Sequence, residues 1–236
     1  MQDVAKRRSF ISMRTSVLSI CLSFASAIYL SDAQSAPVTR RDVPKVQTVL
    51  VLGDSLAAGY RLERAQAFPA LLAKKAVATG FNVRVLNAGV SGDTTAGGLR
   101  RLPNLLDHRI DILVLELGIN DAFRGVPIEQ IRSNLQSIID RAKARFPGVR
   151  ILIAGMQLPQ FAEDDYVHAF GEMFGELAQK NNAALVPFLL QGVAGDPTLN
   201  LPDAIHPNAA GQRVLAENVW RVLEPIARAA ASSRAE

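Results

Sequence analysis

Five short apolar segments, separated by longer stretches with helical spacing, constrain the fold of this chain more than any other feature. They are nearly continuous runs of Val, Ile, Leu and Ala at 48–52, 83–86, 112–117, 151–155 and 184–186. Such runs are typical of strands buried on both faces of a parallel sheet. Apolar residues at helical spacing predict amphipathic helices at 128–142 and 214–226. The alternation predicts an α/β fold, namely a three-layer α/β/α sandwich with right-handed crossovers.

The first 35 residues resemble a secretory signal peptide more than part of a folded domain. Basic residues precede an apolar stretch at 17–30 that ends among small residues, which is the order of regions in such a signal. We expect cleavage after Ala33 or Ser35, followed by export to the periplasm or the medium. The export route stays open, because Arg7-Arg8 also resembles a twin-arginine signal.

An uncleaved membrane anchor is one alternative to a cleaved signal. The apolar stretch at 17–30 is shorter than the ~20 residues that a helix needs to cross a bilayer. Attachment of a lipid at Cys21 is another alternative, but Ile20 stands where a small residue is expected, and the cysteine lies inside the apolar stretch. We therefore expect no stable membrane anchor after signal removal.

The remaining chain is long enough for one folded domain, which we place at 47–231, between a linker at 36–46 and a tail at 232–236. Cys21 is the single cysteine, so the exported form would have no disulfide, no thiol nucleophile and no cysteine-bound metal. Removal of residues 1–35 takes away four basic and two acidic residues and lowers the formal charge from +4 to +2. Because no run of Lys and Arg alternates with aromatic residues, nucleic-acid binding is not expected.

A serine follows the first predicted strand, at the sheet edge where open α/β folds hold their active sites. It belongs to the tetrapeptide Gly-Asp-Ser-Leu at 53–56, which by itself would also fit an ordinary turn. The loops after the next two strands carry polar groups too, in Ser-Gly-Asp-Thr at 91–94 and Gly-Ile-Asn-Asp at 118–121. We therefore expect these three loops to meet in one crevice.

Three N–H groups in these loops are suited to stabilising the oxyanion of an acyl-transfer reaction. They are the backbone N–H of Ser55, the backbone N–H of Gly92 and the side-chain amide of Asn120. One such donor is worth about 10²–10³ in rate. Each residue alone would fit a turn or a helix cap, so the hypothesis depends on their occurring together.

His206 is the favoured candidate for the base that activates Ser55. The chain has three histidines, of which we expect His108 to be a solvated loop residue and His168 to be a packed or surface residue of a helix. Asp203 lies three residues before His206, where its carboxylate can reach Nδ1 of the imidazole across a turn. Nε2 is then left to accept the proton of Ser55.

Four blocks resemble, in order and spacing, those of the SGNH (GDSL) hydrolases. They are Gly-Asp-Ser-Leu at 53–56, Gly92, Gly-x-Asn-Asp at 118–121 and Asp-x-x-His at 203–206. Longer stretches at 53–60, 91–95 and 116–118 look like those of exported bacterial arylesterases, thioesterases and lysophospholipases. The resemblance runs from about Val49 to Trp220. The Gly-x-Ser-x-Gly signature of the commoner lipase fold is not met, because Ala57 replaces its last glycine.

This resemblance implies a flavodoxin-like fold with a five-stranded parallel sheet between helices. It also implies a catalytic triad of Ser55, His206 and Asp203, with an oxyanion hole formed by Ser55, Gly92 and Asn120. No cofactor or metal is implied. The expected partner is a small-molecule or lipid ester, and the oligomeric state is not predicted.

An apolar cleft is expected to bind the acyl group. The residues expected to line it, from loops near the crevice, are Phe123, Met156, Leu158, Pro159 and Phe161. Phe123 lies in a stretch that resembles a mobile loop of the family, although it would also fit the core. Ile119 and Ala204 stand where the subgroup often has glycine, which would narrow the pocket or stiffen its loops. Leu158-Pro159 resembles the subgroup's substrate loop but lacks its usual Asn-Tyr-Gly, so the acyl preference is not predicted.

Two other functions fit the same sequence. A carbohydrate-ester deacetylase would use the same triad, but it would need aromatic platforms for sugars, and the single tryptophan, Trp220, falls on the last helix. A non-catalytic exported binding module would have no need of an aligned serine, aspartate and histidine. The favoured hypothesis is therefore an exported serine esterase that cleaves the ester or thioester bonds of apolar acyl substrates.

Overall fold

The computed structural model describes residues 46–159 and 165–232, with side chains as far as residue 229. The predicted signal peptide, most of the predicted linker and Phe161 lie outside the described residues. The described residues belong to one compact unit. None of the helices among them is long and apolar enough to cross a membrane.

Five parallel strands alternate with helices along the described part of the chain. The strands are β1 (Gln47–Gly53), β2 (Val83–Gly89), β3 (Ile112–Glu116), β4 (Arg150–Ala154) and β5 (Ala184–Val186). The helices are α1 (Ser55–Ala58), α2 (Phe68–Ala78), α3 (Thr95–Leu105), α4 (Ile119–Phe123), α5 (Ile128–Arg145), α6 (Asp165–Asn181) and α7 (Ala209–Ser232). The predicted α/β class and the five predicted strands are confirmed, with strand ends that shift by at most three residues.

The strand order is β2-β1-β3-β4-β5, so the chain moves from β1 to one edge of the sheet and then returns to build the other side. Right-handed crossovers in opposite directions place their helices on opposite faces. Accordingly, α2 packs with α7, while α5 packs with α3 and α6. The three-layer sandwich is thus confirmed. Because the loops after β1 and β3 diverge, a crevice opens at their carboxyl ends.

The central strands form the most buried part of the core. Residues 49–52 of β1 and 112–115 of β3 are at most 1% exposed. In β2, by contrast, the side chains are half-buried or exposed. The expectation that every strand is buried on both faces is therefore wrong for β2 and for the half-buried residues 184 and 185 of β5. Both are edge strands, which have a neighbouring strand on one side only.

Candidate active site

Ser55 lies at the carboxyl end of the central strand β1, as the first residue of the short helix α1. Asp54 caps this helix, since its Oδ1 accepts a hydrogen bond from the Leu56 N–H at 3.0 Å. As the first helical residue, Ser55 has an N–H without an intrahelical partner. The turn is tight, because a Cβ at Gly53 would lie 2.3 Å from Glu116 Oε2. The first residue of the tetrapeptide must therefore be glycine.

His206 reaches Ser55 from the loop between β5 and α7. Its Nε2 lies 3.0 Å from Ser55 Oγ, and its Nδ1 lies 2.9 Å from Asp203 Oδ2. Asp203 Oδ1 accepts the backbone N–H groups of Ile205 and His206, both at 3.0 Å. These bonds, led by the one from the His206 N–H, lower the pKa of Asp203 to about 2. Asp203 is then a hydrogen-bond acceptor only, so His206 carries its hydrogen on Nδ1 and presents a free lone pair on Nε2 to the serine hydroxyl.

Backbone hydrogen bonds hold the loop of His206 in place. The Leu201 N–H donates to the His206 carbonyl at 2.7 Å, and the side chain of Asn208 caps α7. Within this loop Ala204 has a φ of +58°, a left-handed conformation that glycine adopts more readily. The departure from glycine at Ala204 therefore places a strained residue directly after Asp203.

The expected oxyanion donors are placed differently with respect to Ser55. Asn120, in α4, lines the same cleft as Ser55. Its Nδ2 donates to Asp54 Oδ2 and to the Asp93 carbonyl, both at 3.0 Å. Gly92 has a φ of +78° in the turn after β2, and it is not among the described residues that line the cleft. Since both hydrogens of the Asn120 amide are in use, an oxyanion would have to take over one of these bonds.

Polar side chains connect the loops that follow β1, β2 and β3. Arg101, in α3, donates from Nε to Asp93 Oδ2 at 2.7 Å and from Nη2 to the Gly53 carbonyl at 3.0 Å. The carboxylate of the buried Asp121 accepts two hydrogen bonds from Thr95, one from the hydroxyl at 2.6 Å and one from the backbone N–H at 2.8 Å. These bonds fix the spacing of the three loops around the crevice.

A buried pair of carboxyl groups, which the sequence pattern did not reveal, lies directly behind Ser55. Asp54 and Glu116 are both fully buried, and the Asp54 N–H donates to Glu116 Oε2 at 3.0 Å. Burial raises the pKa of Asp54 to about 6. Burial, and next the charge of Asp54, raise the pKa of Glu116 well above its usual range. The sequence does hold one indication of this pair, because Glu116 is the single charged residue of β3 and lies at its carboxyl end.

Tyr60 is a second neighbour of the site that the sequence pattern did not single out. Its ring centroid lies 4.3 Å from that of His206, and its backbone N–H donates to the Ser55 carbonyl at 3.1 Å. Gly59, which ends α1 with a φ of +71°, directs the chain back toward the imidazole. Tyr60 therefore contacts both the turn of Ser55 and the ring of His206.

An open cleft of about 1020 Å³ begins at Ser55 and His206. Of the five residues expected to contact substrate, four line this cleft, namely Phe123, Met156, Leu158 and Pro159. The fifth, Phe161, lies outside the described residues. The alternative that Phe123 belongs to the core is wrong, because this side chain is 60% exposed. Ile205, which was not predicted, is 53% exposed and also lines the cleft.

The residues that depart from the expected glycines border this cleft as well. Ile119 and Ala204 both line it. Part of α6 forms another wall, where Gly171 leaves open space, since a Cβ there would meet no atom within 4 Å. The wall formed by α6 therefore includes a position at which a larger side chain would occupy the cleft.

The other histidines and the tryptophan take no part in the contacts around Ser55. His108 is exposed between α3 and β3. His168 is an exposed residue of α6 at the cleft wall, with Nε2 3.4 Å from Glu172 Oε1. Trp220 is buried in α7, where its ring packs edge-on against Phe81 at 6.2 Å. Over residues 46–159 and 165–232, no group of three or more His, Cys, Asp or Glu side chains is arranged to bind a metal ion.

Known proteins match this chain in sequence and in fold. A family model described as "GDSL-like Lipase/Acylhydrolase family" matches residues 51–214. Esterase TesA of Pseudomonas aeruginosa is 41% identical over 215 residues, which cover 91% of this chain and 100% of that protein. Thioesterase 1/protease 1/lysophospholipase L1 of Escherichia coli strain K12 is 37% identical over 180 residues, covering 76% of this chain and 84% of that protein. A crystal structure of TesA has a TM-score of 0.72 at 44% identity and covers 76% of this chain and 99% of its own.

Proposed function

Because the chain belongs to the GDSL-like lipase/acylhydrolase family, we propose that Ser55, His206 and Asp203 form the catalytic triad of an exported serine esterase. Membership of this family makes the chain a hydrolase of ester bonds. The observation that supports the triad is the line of contacts from Ser55 Oγ to His206 Nε2 at 3.0 Å and from His206 Nδ1 to Asp203 Oδ2 at 2.9 Å. A serine nucleophile needs a base and an orienting carboxylate at such distances.

Hydrolysis then proceeds in two halves. In the first, Ser55 Oγ attacks the carbonyl carbon of the ester while His206 Nε2 takes the hydroxyl proton. When the tetrahedral intermediate collapses, His206 gives this proton to the leaving alcohol or thiol. In the second half, His206 takes a proton from water, the resulting hydroxide attacks the acyl-serine, and the acid leaves as Ser55 regains its proton. The Asp203 carboxylate stabilises the imidazolium in both halves.

The oxyanion of each intermediate would be stabilised by the N–H groups of Ser55 and Gly92 and by the side-chain amide of Asn120. Asn120 Nδ2 donates to a carboxylate, Asp54, and to a neutral carbonyl, that of Asp93. Hydrogen bonds to ionised acceptors are roughly twice as strong as those between neutral groups. The oxyanion would therefore take over the hydrogen that now goes to the Asp93 carbonyl.

Esters with apolar acyl groups are the substrates that suit the cleft best. Phe123 and Ile205 line the same cleft as Ser55. They are 60% and 53% exposed, and exposed apolar surface that is grouped in a cleft is typical of binding sites. The cleft volume, about 1020 Å³, lies at the upper end of the range of about 300–1,000 Å³ for small-molecule pockets. Acyl chains longer than acetyl, including those of lipid esters, would therefore fit.

Hydrolysis of p-nitrophenyl esters, from acetyl to palmitoyl, by the chain without residues 1–35 tests this function. We expect turnover by the wild type and a fall to background in Ser55→Ala. Ser133→Ala is the matched control, because Ser133 is an exposed residue of α5, and it should retain the wild-type rate. Turnover that persists in Ser55→Ala would overturn the triad. A folded wild type that hydrolyses no ester or thioester and is not labelled by an alkyl phosphonate would instead favour a binding module.

Export needs a separate experiment. Expression of the full chain in a bacterium, followed by fractionation and mass spectrometry, should recover protein outside the cytoplasm that begins at residue 34 or 36. This expectation rests on the order of basic, apolar and small residues at the start of the chain. Recovery of the full-length chain in the cytoplasm would contradict export and leave the esterase proposal untouched.

A further inference from the structure

Asp54 contacts the turn of the nucleophile and an oxyanion residue at the same time. Its Oδ1 accepts the Leu56 N–H and its Oδ2 accepts a hydrogen of Asn120 Nδ2, both at 3.0 Å. Capping of α1 needs only the first of these bonds. The second determines which end of the Asn120 amide faces Asp54, because a carboxylate accepts hydrogen bonds and cannot donate them. The Asp93 carbonyl accepts the other hydrogen of Nδ2 at 3.0 Å, but this is the bond that an oxyanion would take over. While an oxyanion is bound, the orientation of the amide therefore depends on Asp54.

Glu116 supports Asp54 from the end of the neighbouring strand β3. It is fully buried, and its Oε2 accepts the Asp54 N–H at 3.0 Å. Glycine at position 53, which is paired with Glu116 in the sheet, leaves the space that this carboxyl group fills. The other oxygen, Oε1, has no hydrogen-bond partner among the described residues. A buried carboxylate with an unpartnered oxygen is costly, so the neutral form of Glu116 is favoured.

We propose that Asp54 and Glu116 act together as a buried carboxylate and carboxylic acid that position the Asn120 amide beside Ser55. Asp54 holds the negative charge, because two N–H groups donate to it, and Glu116 holds the proton. The inference rests on the proposed function and adds two positioning residues to it.

The charged groups that face Asp54 agree with this placement of the proton. Asp93 faces it from the loop after β2 and opposes its ionisation, but Arg101 of α3 pairs with Asp93 at 2.7 Å. His206 faces it from the loop before α7, and the protonated form of His206 favours ionisation of Asp54. Burial raises the pKa of Asp54 only to about 6, whereas burial and the charge of Asp54 raise that of Glu116 well above its usual range. At neutral pH the negative charge therefore lies on Asp54.

A fixed amide matters most in the transition state. If Asn120 were free to turn over, its carbonyl oxygen would face the oxyanion in part of the molecules and repel it. Donors that are oriented in advance need no reorganisation during the reaction. Loss of this orientation should therefore lower kcat more than it changes KM, since the bond to the oxyanion forms only in the transition state.

A double-variant cycle tests whether Asp54 acts through Asn120. Asp54→Asn keeps the shape of the side chain but replaces one accepting oxygen with an NH2 group. We expect kcat for p-nitrophenyl butyrate to fall about 10²-fold, the size of one lost oxyanion donor, with KM little changed. Asn120→Ala should lose a similar factor, and the double variant should lose no more than Asn120→Ala alone. Losses that multiply in the double variant would overturn the proposal, because a merely structural role of Asp54 would be independent of Asn120.

Two variants of Glu116 test the placement of the proton. Gln keeps an oxygen for the Asp54 N–H and supplies an N–H where the neutral acid carries its proton. Glu116→Gln should therefore retain most of the kcat that Glu116→Ala loses. If Glu116→Ala does not fold, the kcat of Glu116→Gln is sufficient to test the assignment. A fall in kcat as large as that of Asp54→Asn would overturn the assignment of the neutral acid to Glu116.

A measurement on the wild type needs no variant to fold. The side-chain amide resonances of Asn120 should move with pH as Asp54 titrates, with a midpoint near its pKa of about 6. Resonances that do not move between about pH 5 and 8 would contradict the contact with an ionising Asp54. Ser55→Ala, assayed in parallel, separates the two proposals: if that variant retains turnover, the proposed triad fails, whatever the behaviour of the pair.

Discussion

The rings of Tyr60 and His206 lie 4.3 Å apart, with their planes inclined by 36°. Such tilted aromatic contacts are worth about 0.5–1.5 kcal/mol beyond the burial of area. Because Asp203 and Ser55 hold the two nitrogens of the same imidazole, a contact on the ring face limits the remaining rotation. Tyr60 therefore supports the orientation that the proposed proton transfer from Ser55 to His206 requires.

Removal of the Tyr60 ring should impair turnover without affecting Ser55, the proposed nucleophile. We expect Tyr60→Ala to lower kcat/KM by about ten- to a hundredfold, since small displacements of a reacting group have effects of this size. Tyr60→Phe keeps the ring and should stay close to the wild type. Steady-state kinetics on one p-nitrophenyl ester tests this expectation. Equal losses of kcat/KM in Tyr60→Ala and Tyr60→Phe would assign the effect to the phenolic oxygen and not to the ring.

Glycine at position 204 should stabilise the protein. The left-handed φ of +58° at Ala204 destabilises the fold by roughly 1–2 kcal/mol for a residue with a Cβ. Glycine removes this strain, but it lowers the free energy of unfolding by about 0.4–1 kcal/mol because it makes the unfolded chain more flexible. We expect Ala204→Gly to raise the free energy of unfolding by up to about 1.6 kcal/mol, the difference between these two effects, measured by urea denaturation. Ala144→Gly, in the exposed part of α5, is the control and should lower it by ~1 kcal/mol. A decrease in both variants would show that Ala204 is not strained.

A larger side chain at position 171 should shorten the acyl chain that the enzyme prefers. Gly171 lines the cleft from α6 and leaves open space there, so Gly171→Leu would fill part of the cleft in which we propose that the acyl group binds. The variant should keep its rate on the acetyl ester and lose rate progressively as the chain lengthens. Gly175→Leu, one turn further along α6 and outside the lining residues that the structure describes, should keep the wild-type profile. An unchanged optimum in Gly171→Leu would place the acyl group elsewhere.

The buried carboxyl pair should make the fold less stable as pH rises. Burial raises the pKa of Asp54 from 3.8 to about 6 and that of Glu116 well above 4.5. The folded state thus binds more protons than the unfolded state, and stability falls as pH rises from about 4 through 6 and beyond. Asp203, whose pKa is lowered to about 2, acts in the opposite direction, and its contribution is lost only as pH falls below about 4.

Glu116→Gln removes one of the two raised groups. Its melting temperature should therefore decline less than that of the wild type between about pH 4 and 8. Asp107→Asn, at an exposed position, should follow the wild-type curve. A decline in Glu116→Gln as steep as that of the wild type would mean that Glu116 does not lose a proton on unfolding.

The strands and the polar loops that follow them could be predicted because both depend on local sequence. Nearly continuous apolar runs indicate strands wherever they lie in the sheet, and the five runs overlap β1 to β5. The exposure of β2 could not be predicted in the same way, since it follows from the position of this strand at the edge. Strand order depends on how helices pack, and single segments do not encode it.

The contacts of the candidate site likewise divide into local ones, which the sequence predicts, and long-range ones, which it does not. Asp203 and His206 are three residues apart, so their pairing could be expected from a turn. The bond between Asp54 and Asn120 joins residues 66 positions apart, and the contact of Tyr60 with His206 is likewise long-range. Such contacts arise only when β1, β3 and the last loop assemble, so no local pattern reveals them.

The separation of Ser55 and His206, 151 positions along the chain, has a consequence for the time at which activity appears. His206 lies between β5 and α7, and α7 packs against α2. We therefore expect His206 to come into place only when β5 has joined the sheet and α7 has docked. A partly synthesised chain, or a collapsed folding intermediate without this last helix, would present a serine with no base beside it. The rate of ester hydrolysis should therefore be proportional to the concentration of completely folded molecules. The recovery of this activity after dilution from denaturant would then measure the rate at which the last helix docks.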